Sequence, residues 1–545
     1  MITSYQISAL ENIMPRVNQE FTCIKDMTVL KGERFSYQIA YSGDRVCNAQ
    51  VKAESDISDK LHIYWIDCIN VKRTVFFNKS LIDDNYLSVD AGLYPDLLRE
   101  ITDGNIPLRY YFQGIWIEAD DDIEAGKHQV KITLSCAEES VEHIMEIEVL
   151  DLQLPKQELI YGEIVQADCI ADYYGMEVFS EEHWEMLEKF IRISTKYGSN
   201  ALVPPLFTPP VDTQVGGERT TVQLVKVEKS GNSYSFDFTL FERYIKMCQN
   251  AGITYFYMPS LFTQWGAEFT PKIIATENNE EKRIFGWDVL STDQRYLSFL
   301  KQLIPCLIEK IKEMNLQDNV LFSISDEPFD EETVERYAKL SSVLAPMLKE
   351  FKIMDAFTHE DRFEKSGASI PLIPTSDISN FHIEKMDKLC VYYCCAQDYK
   401  VSNRFITMPL YRNRSFGYQL FKYDVDLFFH WALNFYNAPL SVKRIDPFTV
   451  PDADGGYPGG DCFSVYPGEN GPMKSMRIVV FNETLQDLRA LNLLSSYVGR
   501  DEVIRLIEEI TGEITFENCA HNASVILNMR KSIMNELRKF VKEKK

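Results

Sequence analysis

Residues 320–357 read VLFSISDEPFDEETVERYAKLSSVLAPMLKEFKIMDAF, which is an apolar stretch, a pair of acids, an amphipathic segment and a second apolar stretch. Asp330 is a suitable N-cap for a helix, and two glutamates fill the first turn that follows it. A strand, a helix and a second strand in this order predict two parallel strands covered by the helix. The segment therefore indicates an α/β fold.

The order of strand, loop and helix recurs along residues 155–475. The stretches predicted as strands are 159–166, 200–207, 253–260, 320–325, 352–357, 370–374, 388–395 and 426–436. They are apolar at successive positions, which is typical of parallel strands that are buried on both faces. Eight such strands alternating with helices predict a (β/α)8 TIM-like barrel.

The first 154 residues follow another pattern. Short runs rich in Val, Ile, Tyr and Phe, such as GERFSYQIAYSG and YYFQGIWIEA, are separated by Gly, Asp and Asn turns. No long amphipathic helix interrupts them, so we predict a β-sandwich. We divide the chain into a β-sandwich domain at 1–154, a catalytic barrel with a Gly/Pro-rich loop at 155–475, and a C-terminal helical segment packed on the barrel at 476–545.

Composition and charge exclude several classes of protein. The chain has 57 basic and 81 acidic residues, and it lacks the concentrated basic patch that nucleic-acid binding needs. No secretion signal and no apolar run long enough for a membrane span is visible, and the 12 cysteines follow no repeating frame. We expect a cytoplasmic protein with no nucleic-acid or membrane partner, and a homo-oligomer stays open.

The adjacent acids Asp326 and Glu327, at the end of the fourth predicted strand, are the main functional signal. Neighbouring carboxylates repel each other, and burying either one is costly. Successive side chains of a strand point to opposite faces, so both acids can enter one pocket only where the strand has ended. Pro328 keeps Glu327 out of the helical region and marks that end. Because barrel enzymes act at the C-terminal ends of their strands, we interpret the pair as catalytic.

Amides, aromatic rings and a few cationic groups follow the other predicted strands or lie on the last two of them, and this combination suits a sugar. The candidate substrate-binding residues are Gln264, Trp265, His359, Tyr392, Tyr393, Asn403, Arg412, Arg414, His430 and Trp431, with Gln166, Asp168 and Asn434 beside them. A structural role is the competing interpretation for the histidines, Trp431 and the arginines. No phosphate-binding loop, dinucleotide motif or HExxH motif occurs, which argues against nucleotide, dinucleotide and zinc-protease sites.

Six motifs point to a known family: PPLFTPPVDTQVGGERTTVQLV, LFTQWGA, SISDEP, YYCCAQDYKVSNRF, MPLYRNR and GGDCFSVYPG. In these motifs the chain resembles the domain-of-unknown-function 4091 family, to which the catalytic domain of glycoside hydrolase family 123 belongs. The resemblance covers most of the chain. It implies an N-terminal β-sandwich, a (β/α)8 barrel, no cofactor and no metal.

The resemblance also implies roles for the two acids. Characterised members are retaining β-N-acetylgalactosaminidases that use the 2-acetamido group of the substrate as nucleophile. Glu327 would be the general acid/base, and Asp326 would orient the acetamido group and stabilise an oxazolinium-like intermediate. Adjacent carboxylates are then acceptable because no second carboxylate has to attack the sugar. This mechanism requires Glu327 to be protonated and Asp326 to be ionised near neutral pH.

We therefore predict a glycoside hydrolase that cleaves β-linked 2-acetamido sugars, first of all N-acetylgalactosaminides, by retaining, substrate-assisted catalysis on a small oligosaccharide or glycoside. Tyr392 or Tyr393 would bond the acetamido oxygen, and Trp265 or Trp431 would stack on the sugar ring. Two alternatives stay open. One is a glycosidase of different sugar specificity, and the other is a non-catalytic carbohydrate-binding protein on the same fold.

Overall fold

A computed structural model describes residues 1–77 and 83–543, with side chains to residue 541. The described N-terminal strands are β1 (Ile2–Ser8), β2 (Asp26–Lys31), β3 (Phe35–Gly43), β4 (Cys47–Ser55), β5 (Leu61–Val71), β6 (Gly92–Glu100), β7 (Asn105–Leu108), β8 (Gln113–Ala119), β9 (Gly126–Cys136) and β10 (Glu139–Gln153). They form two five-stranded sheets, ordered β1-β3-β8-β5-β6 and β2-β10-β9-β4-β7.

The two sheets enclose a common apolar core. Ile39 and Ile117 of the first sheet and Ile132 and Ile147 of the second belong to one cluster of buried side chains. The central strands β3, β8, β9 and β10 contribute to this core through every second residue, while the residues between point away from it. This part of the chain is the predicted β-sandwich.

The chain continues through β11 (Ile160–Glu163), α1 (Ala167–Tyr174), α2 (Glu181–Lys196), β12 (Ala201–Leu202), β13 (Lys226–Ser230), β14 (Ser233–Asp237), α3 (Thr239–Ala251), β15 (Tyr255–Tyr257), β16 (Ile273–Glu277), β17 (Glu280–Phe285), α4 (Gln294–Glu313), β18 (Val320–Phe322), α5 (Glu331–Leu348), β19 (Lys352–Ala356), α6 (Glu360–Ser366), β20 (Ile370–Pro374), β21 (Cys390–Tyr392), α7 (Leu410–Arg414), α8 (Phe416–Tyr423) and β22 (Leu427–His430). The last elements are β23 (Val465–Gly468), β24 (Gly471–Lys474), α9 (Met476–Val498), α10 (Arg500–Thr511) and α11 (Ala523–Glu543).

Eight of these strands close into a parallel barrel in the order β11-β12-β15-β18-β19-β20-β21-β22, and β22 pairs again with β11. Each predicted stretch contains one barrel strand, so the predicted (β/α)8 barrel is confirmed. The strands are shorter than the apolar stretches. In the second stretch only Ala201–Leu202 pairs, because Pro204 and Pro205 follow and have no amide hydrogen for a ladder.

The segments after the second and third barrel strands contain additional strands that were not predicted. The hairpin β13–β14 follows β12, and the hairpin β16–β17 follows β15. They join in a four-stranded sheet with the order β14-β13-β16-β17. The sequence did not reveal this sheet because runs such as EEKRIF are largely exposed and charged, without the apolar alternation of a half-buried strand.

Helix α9 covers the side of the barrel where β22 meets β11. The ring of Phe481 packs on Phe428 of β22 and on Tyr161 of β11, with centroids 5.4 and 4.9 Å apart. Helix α9 takes the position of the helix that follows the last strand of such a barrel.

The division of the chain at residues 154 and 475 stays a prediction. In the described residues, no helix combines the length and the apolar character that crossing a membrane requires.

Candidate active site

A cavity of about 200 Å³ opens at the C-terminal ends of the barrel strands. Most of its wall is apolar or aromatic, and four carboxyl groups interrupt it, those of Asp212, Asp326, Glu327 and Asp355. Ligand sites of proteins commonly combine an apolar wall with a few convergent polar groups, and this volume is small for such a site. The cavity therefore suits one small ligand unit.

The structure brings Asp326 and Glu327 to this cavity together. Strand β18 ends at Phe322, so the acids lie outside the regular alternation of the strand. Glu327 has a φ of 38° and Trp265 one of 59°, both in the left-handed region that residues with side chains seldom adopt. The amide of Trp265 donates to the carbonyl of Asp326 at 2.8 Å. Such backbone conformations are concentrated at functional sites.

Burial dominates the electrostatics of the two acids. It raises the pKa of Asp326 well above its usual range, and the neighbouring carboxyl groups of Glu327 and Asp355 raise it further. Burial also raises the pKa of Glu327, whereas the hydrogen bond from the Tyr392 hydroxyl lowers it. Both acids thus favour the protonated form. This suits Glu327 as an acid, but the ionised Asp326 that the mechanism requires has no hydrogen-bond donor among the described residues to favour it.

Asp355 is a third acid of the cavity, in a stretch predicted only as an apolar strand. Its carboxylate accepts hydrogen bonds from the hydroxyls of Ser323, Tyr257 and Tyr337 and, at 2.8 Å, from the amide of Ile324. Burial raises the pKa of Asp355 to about 7, although these donors lower it. The network connects β19 to the residues directly before the acid pair. In the sequence, the signal for this residue was a single acid inside an apolar predicted strand. Burying a carboxylate is costly, so such an acid needs hydrogen-bond partners or a function.

Aromatic rings form another part of the wall. Trp431 follows β22, and its ring packs against that of Tyr457 from the Gly/Pro-rich loop, with centroids 5.7 Å apart. Trp431 donates from Nε1 to Oδ2 of Asp461 at 3.1 Å, which fixes the indole. Burial raises the pKa of Asp461 to about 7. Trp265 is 44% exposed and also lines the cavity, so two tryptophan rings are available to a sugar.

The loop after β12 adds Asp212, which the sequence did not single out. Its Oδ1 accepts from the amide of Leu440 at 3.0 Å. Gln264 lies beside it and donates from Nε2 to the carbonyl of Thr213 at 3.2 Å. Burial raises the pKa of Asp212, while the amide of Leu440 and the nearby Tyr457 hydroxyl lower it. Within the described residues, Asp212 Oδ2 and Gln264 Oε1 accept no hydrogen bond.

Gln166 and Asp168 hold the loop after β12 in place through Arg219. Arg219 contacts both carboxylate oxygens of Asp168 at 2.8 Å and donates to Oε1 of Gln166 at 2.8 Å. The same guanidinium donates to the carbonyl of Val211 at 3.0 Å. Asn434 accepts from the amide of Gln166 at 2.9 Å. These polar groups therefore position the loop after β12, and none of them lines the cavity.

Three further candidates lie away from the cavity. Tyr393 is buried against Phe428 at a centroid distance of 4.7 Å, because it follows Tyr392 in the chain and points the other way. His430 is buried beside Tyr393, and burial lowers its pKa well below the usual value. His359 is exposed at the start of α6. These three residues therefore do not line the cavity, and substrate binding by them stays a prediction without support from their positions.

The remaining three candidates bind other parts of the protein and do not line the cavity; they are Asn403, Arg412 and Arg414. Arg412 is buried and pairs with Asp83 at 2.8 Å. Arg414 pairs with Asp487 of α9 at 2.7 Å. Asn403 donates to two carbonyls of the loop after β21, each at 2.9 Å. A buried cation needs a carboxylate partner, and sequence alone does not show that the partners come from distant segments.

Of the predicted residues, the cavity gathers Asp326, Glu327, Gln264, Trp265, Tyr392 and Trp431. The structure adds Asp212, Asp355 and Tyr457. Asp212 and Tyr457 stand in polar, glycine-rich or proline-rich segments, where nothing in the local pattern distinguishes a cavity residue from a surface residue.

The barrel region of the chain matches a known protein family. Residues 165–494, more than half of the chain, match the family model of the glycoside hydrolase 123 catalytic domain. No curated protein matches.

Among solved structures, a family 123 glycoside hydrolase from Clostridium perfringens, described in connection with glycolipid glycan hydrolysis, is similar over 100% of both chains, with a TM-score of 0.76 and 15% identity. The β-glucuronidase of Parabacteroides merdae and β-glucuronidase 3 of Bacteroides uniformis each show a TM-score of 0.33 and 9% identity, over 84% of this chain and 51% of theirs. Likeness at that TM-score carries no argument. The match to the family model covers more than half of the chain and therefore shows its family. This chain belongs to glycoside hydrolase family 123, whose members act on glycosides.

Proposed function

We propose that this glycoside hydrolase cleaves β-linked 2-acetamido sugars, first of all N-acetylgalactosaminides, with retention and with the acetamido group of the substrate as nucleophile. The adjacency of Asp326 and Glu327 on one cavity carries the proposal. An ordinary retaining glycosidase places its nucleophilic carboxylate across the sugar from its acid. A nucleophile supplied by the sugar removes that requirement and leaves two neighbouring carboxyl groups with different tasks.

Glu327 is the general acid/base in this proposal. Its proton passes to the glycosidic oxygen as the bond to the aglycone breaks, and the acetamido oxygen forms a bond to the anomeric carbon. The resulting carboxylate then takes a proton from water, whose oxygen attacks the anomeric carbon and opens the oxazolinium ring. Burial raises the pKa of Glu327 and keeps the proton available, while the Tyr392 hydroxyl stabilises the carboxylate after transfer.

In this proposal the carboxylate of Asp326 accepts a hydrogen bond from the N–H of the acetamido group. Its pKa is raised by burial and by neighbouring acids, with no donor among the described residues to oppose the shift. An N–H from the substrate would be such a donor, and it would favour the ionised form where that form is needed. The carboxylate then faces the positive charge that develops on the oxazolinium ring. Binding of the correct sugar would thereby separate the pKa values of the two acids.

The first test is hydrolysis of 4-nitrophenyl β-N-acetylgalactosaminide and β-N-acetylglucosaminide, with the β-galactoside, β-glucoside and β-glucuronide as comparisons. We expect activity only on the 2-acetamido sugars, β-configured product in the first minutes by proton NMR, and competitive inhibition by a thiazoline that mimics the oxazolinium ring. Equal activity on sugars without the acetamido group, or no inhibition by the thiazoline, would overturn the proposal.

The second test concerns Asp326. Asp326→Asn should lower kcat and weaken thiazoline binding together, because the carboxylate contacts the nucleophile itself. Asp318→Asn is the matched control. Asp318 is exposed just before β18, so this substitution removes the same kind of side-chain charge outside the cavity. Thiazoline binding that is unchanged in Asp326→Asn would contradict this role.

A further inference from the structure

We propose that residues 72–77, which follow β5 of the sandwich, complete the substrate site of the barrel: Phe76 positions the ring of Tyr457 and thereby sets the affinity for substrate. We call residues 72–77 the sandwich bridge. Phe76 is a positioning residue, because it acts on the cavity through Tyr457. The inference rests on the proposed function only for the ligand of its test, since the contact itself does not depend on which sugar binds.

Phe76 lies behind one ring of the cavity wall. Its ring stacks on that of Tyr457, with centroids 6.3 Å apart and planes 16° from parallel. Tyr457 lines the cavity and packs in turn against Trp431, at a centroid distance of 5.7 Å. Aromatic pairs at such separations attract each other beyond the area that they bury. A row of three rings therefore runs from the sandwich to the cavity, and only its first ring lies outside the cavity wall.

The loop that carries Tyr457 has no regular structure to fix that ring. Residues 452–461, all of which the structure describes, contain neither helix nor strand. Four glycines, at positions 455, 456, 459 and 460, lie close to Tyr457 in the chain. Glycine gives a backbone more freedom than any other residue, so the loop needs contacts from outside to hold one conformation.

The sandwich bridge supplies such contacts through Arg73. Its amide donates to Oδ2 of Asp452 at 2.8 Å, its carbonyl accepts from the amide of Gly459 at 2.9 Å, and its Nη1 donates to the carbonyl of Gly455 at 2.7 Å. A Cβ atom on Gly459 would stand 2.6 Å from Cγ1 of Val71, the last residue of β5, so only glycine permits this approach. The bridge thus holds the loop on both sides of the stacked tyrosine.

The far end of the bridge is fixed to the segment after β21. The amides of Phe76 and Phe77 each donate to Oδ2 of Asp398 at 2.9 Å. The hydroxyl of Thr407 donates to the carbonyl of Thr74 at 2.8 Å. Hydrogen bonds from two consecutive amides to one carboxyl group fix the backbone at Phe76. The ring of Phe76 is therefore in place before a ligand binds.

The expected consequence concerns affinity and not bond cleavage. A ring that is fixed before binding loses less entropy when the substrate contacts it. Without Phe76, the substrate would have to order Tyr457 itself, which raises KM. The acid pair has other supports, from Trp265 and Tyr392, so kcat should change little.

Phe76→Leu removes the stacked ring and keeps an apolar side chain. We measure kcat and KM on the 4-nitrophenyl glycoside that wild type hydrolyses best. KM should rise by about 2- to 10-fold, the size of one aromatic contact, and kcat should stay within about 2-fold of wild type. Phe76→Tyr keeps the ring and should restore the KM of wild type. A KM in Phe76→Leu equal to that of wild type would overturn the inference.

Phe21→Leu is the matched control. Phe21 is another half-buried phenylalanine of the sandwich, and its ring packs on Tyr5 and Phe112. The substitution should lower the free energy of unfolding by an amount similar to that in Phe76→Leu, but it should leave KM unchanged. Equal rises of KM in both variants would show a general effect of lost stability and would overturn the inference as well.

A double-mutant cycle with Tyr457→Leu tests whether Phe76 acts through Tyr457. In the Tyr457→Leu background, Phe76→Leu should raise KM by less than about 2-fold, because the partner of the contact is already gone. Equal factors in both backgrounds would mean that Phe76 acts by another route, against the inference. If Phe76→Leu does not fold, Arg73→Ala takes its place in the cycle with the same expectation, since it loses the bond to Gly455.

The failure of the proposed function gives a different result. If the preferred sugar has no acetamido group, the same kinetics on that sugar still test Phe76. If no glycoside is hydrolysed, crystal structures of wild type and Phe76→Leu decide. A Tyr457 ring that takes a new position, or several positions, in the variant supports the inference, and a ring that keeps its wild-type position overturns it.

Discussion

The hydroxyl of Tyr392 donates a hydrogen bond to Oε1 of Glu327. Tyr392 is the last residue of β21 and Glu327 lies in the segment after β18, so the bond joins the end of one strand to the segment that follows another. It favours the ionised form of Glu327 and lowers the pKa of that acid, against the larger effect of burial. In the proposed mechanism, the pH range in which Glu327 holds its proton therefore depends on this contact.

Tyr392→Phe should move the alkaline limb of the pH profile to higher pH. The variant removes the group that lowers the pKa of Glu327, so the pKa of Glu327 rises. A general acid is active while it is protonated, and its activity is lost as the pH rises through its pKa. The limb measured as kcat/KM against pH should thus lie above that of wild type.

Tyr393→Phe is the control for that change. The Tyr393 hydroxyl has no partner among the described residues, and its ring is buried away from the cavity. The same atom is removed one residue later in the chain, and the pH profile should stay as in wild type. Equal shifts in both variants would rule out a specific effect of the Tyr392 contact.

Glu327→Gln should lower kcat/KM on 4-nitrophenyl β-N-acetylgalactosaminide by about 10²- to 10⁴-fold, the usual contribution of a general acid or base. The loss should be smaller for the 2,4-dinitrophenyl glycoside, whose leaving group needs less protonation. Glu331→Gln, at an exposed position in the first turn of α5, should leave both rates unchanged. The assignment is refuted by a rate loss in Glu327→Gln that does not depend on the leaving group.

Arg412→Ala should reduce stability without a selective effect on substrate binding. Arg412 is buried and pairs with Asp83, and removing one member of a buried pair leaves the other charge unpaired. We expect a loss of about 3–5 kcal/mol in the free energy of unfolding, measured with urea. Arg505→Ala removes an exposed arginine and should cost at most about 1 kcal/mol. A variant of Arg412 with wild-type stability and a raised KM would restore its interpretation as a binding residue.

Asp355→Asn should weaken the dependence of stability on pH. Burial raises the pKa of Asp355 to about 7, so the folded protein holds a proton that the unfolded chain has released between about pH 4 and 7. The contribution of this group is therefore present at acidic pH and is lost as the pH rises through 7. From pH 5 to pH 7, the free energy of unfolding of wild type should fall by more than that of Asp355→Asn.

Asp361→Asn, at an exposed site in α6, is the comparison and should follow wild type at both pH values. An unchanged slope in Asp355→Asn would mean that the carboxyl group is ionised throughout. Burial also raises the pKa of Asp326 and of Asp461, so the difference between the variants is the quantity to measure.

The barrel and the acid pair were readable from local sequence. The apolar stretches around β18 and β19 have the length and order of parallel strands, and Pro328 marks where the strand must have ended. These signals depend on a few consecutive residues, since the backbone geometry of a strand sets the face to which each side chain points, and a proline has no amide hydrogen for a ladder. For the same reason the sequence indicated that Asp326 and Glu327 could face one pocket.

Local pattern could not decide which polar groups share the cavity. Arg412 follows the seventh predicted strand and Trp431 lies on the eighth, yet Arg412 pairs with Asp83 from the sandwich part of the chain while Trp431 lines the cavity. Asp212 reaches the cavity because Arg219 and Leu440 hold its loop. Burial makes a polar side chain depend on partners far away in the chain, and those partners are set only when the barrel has closed.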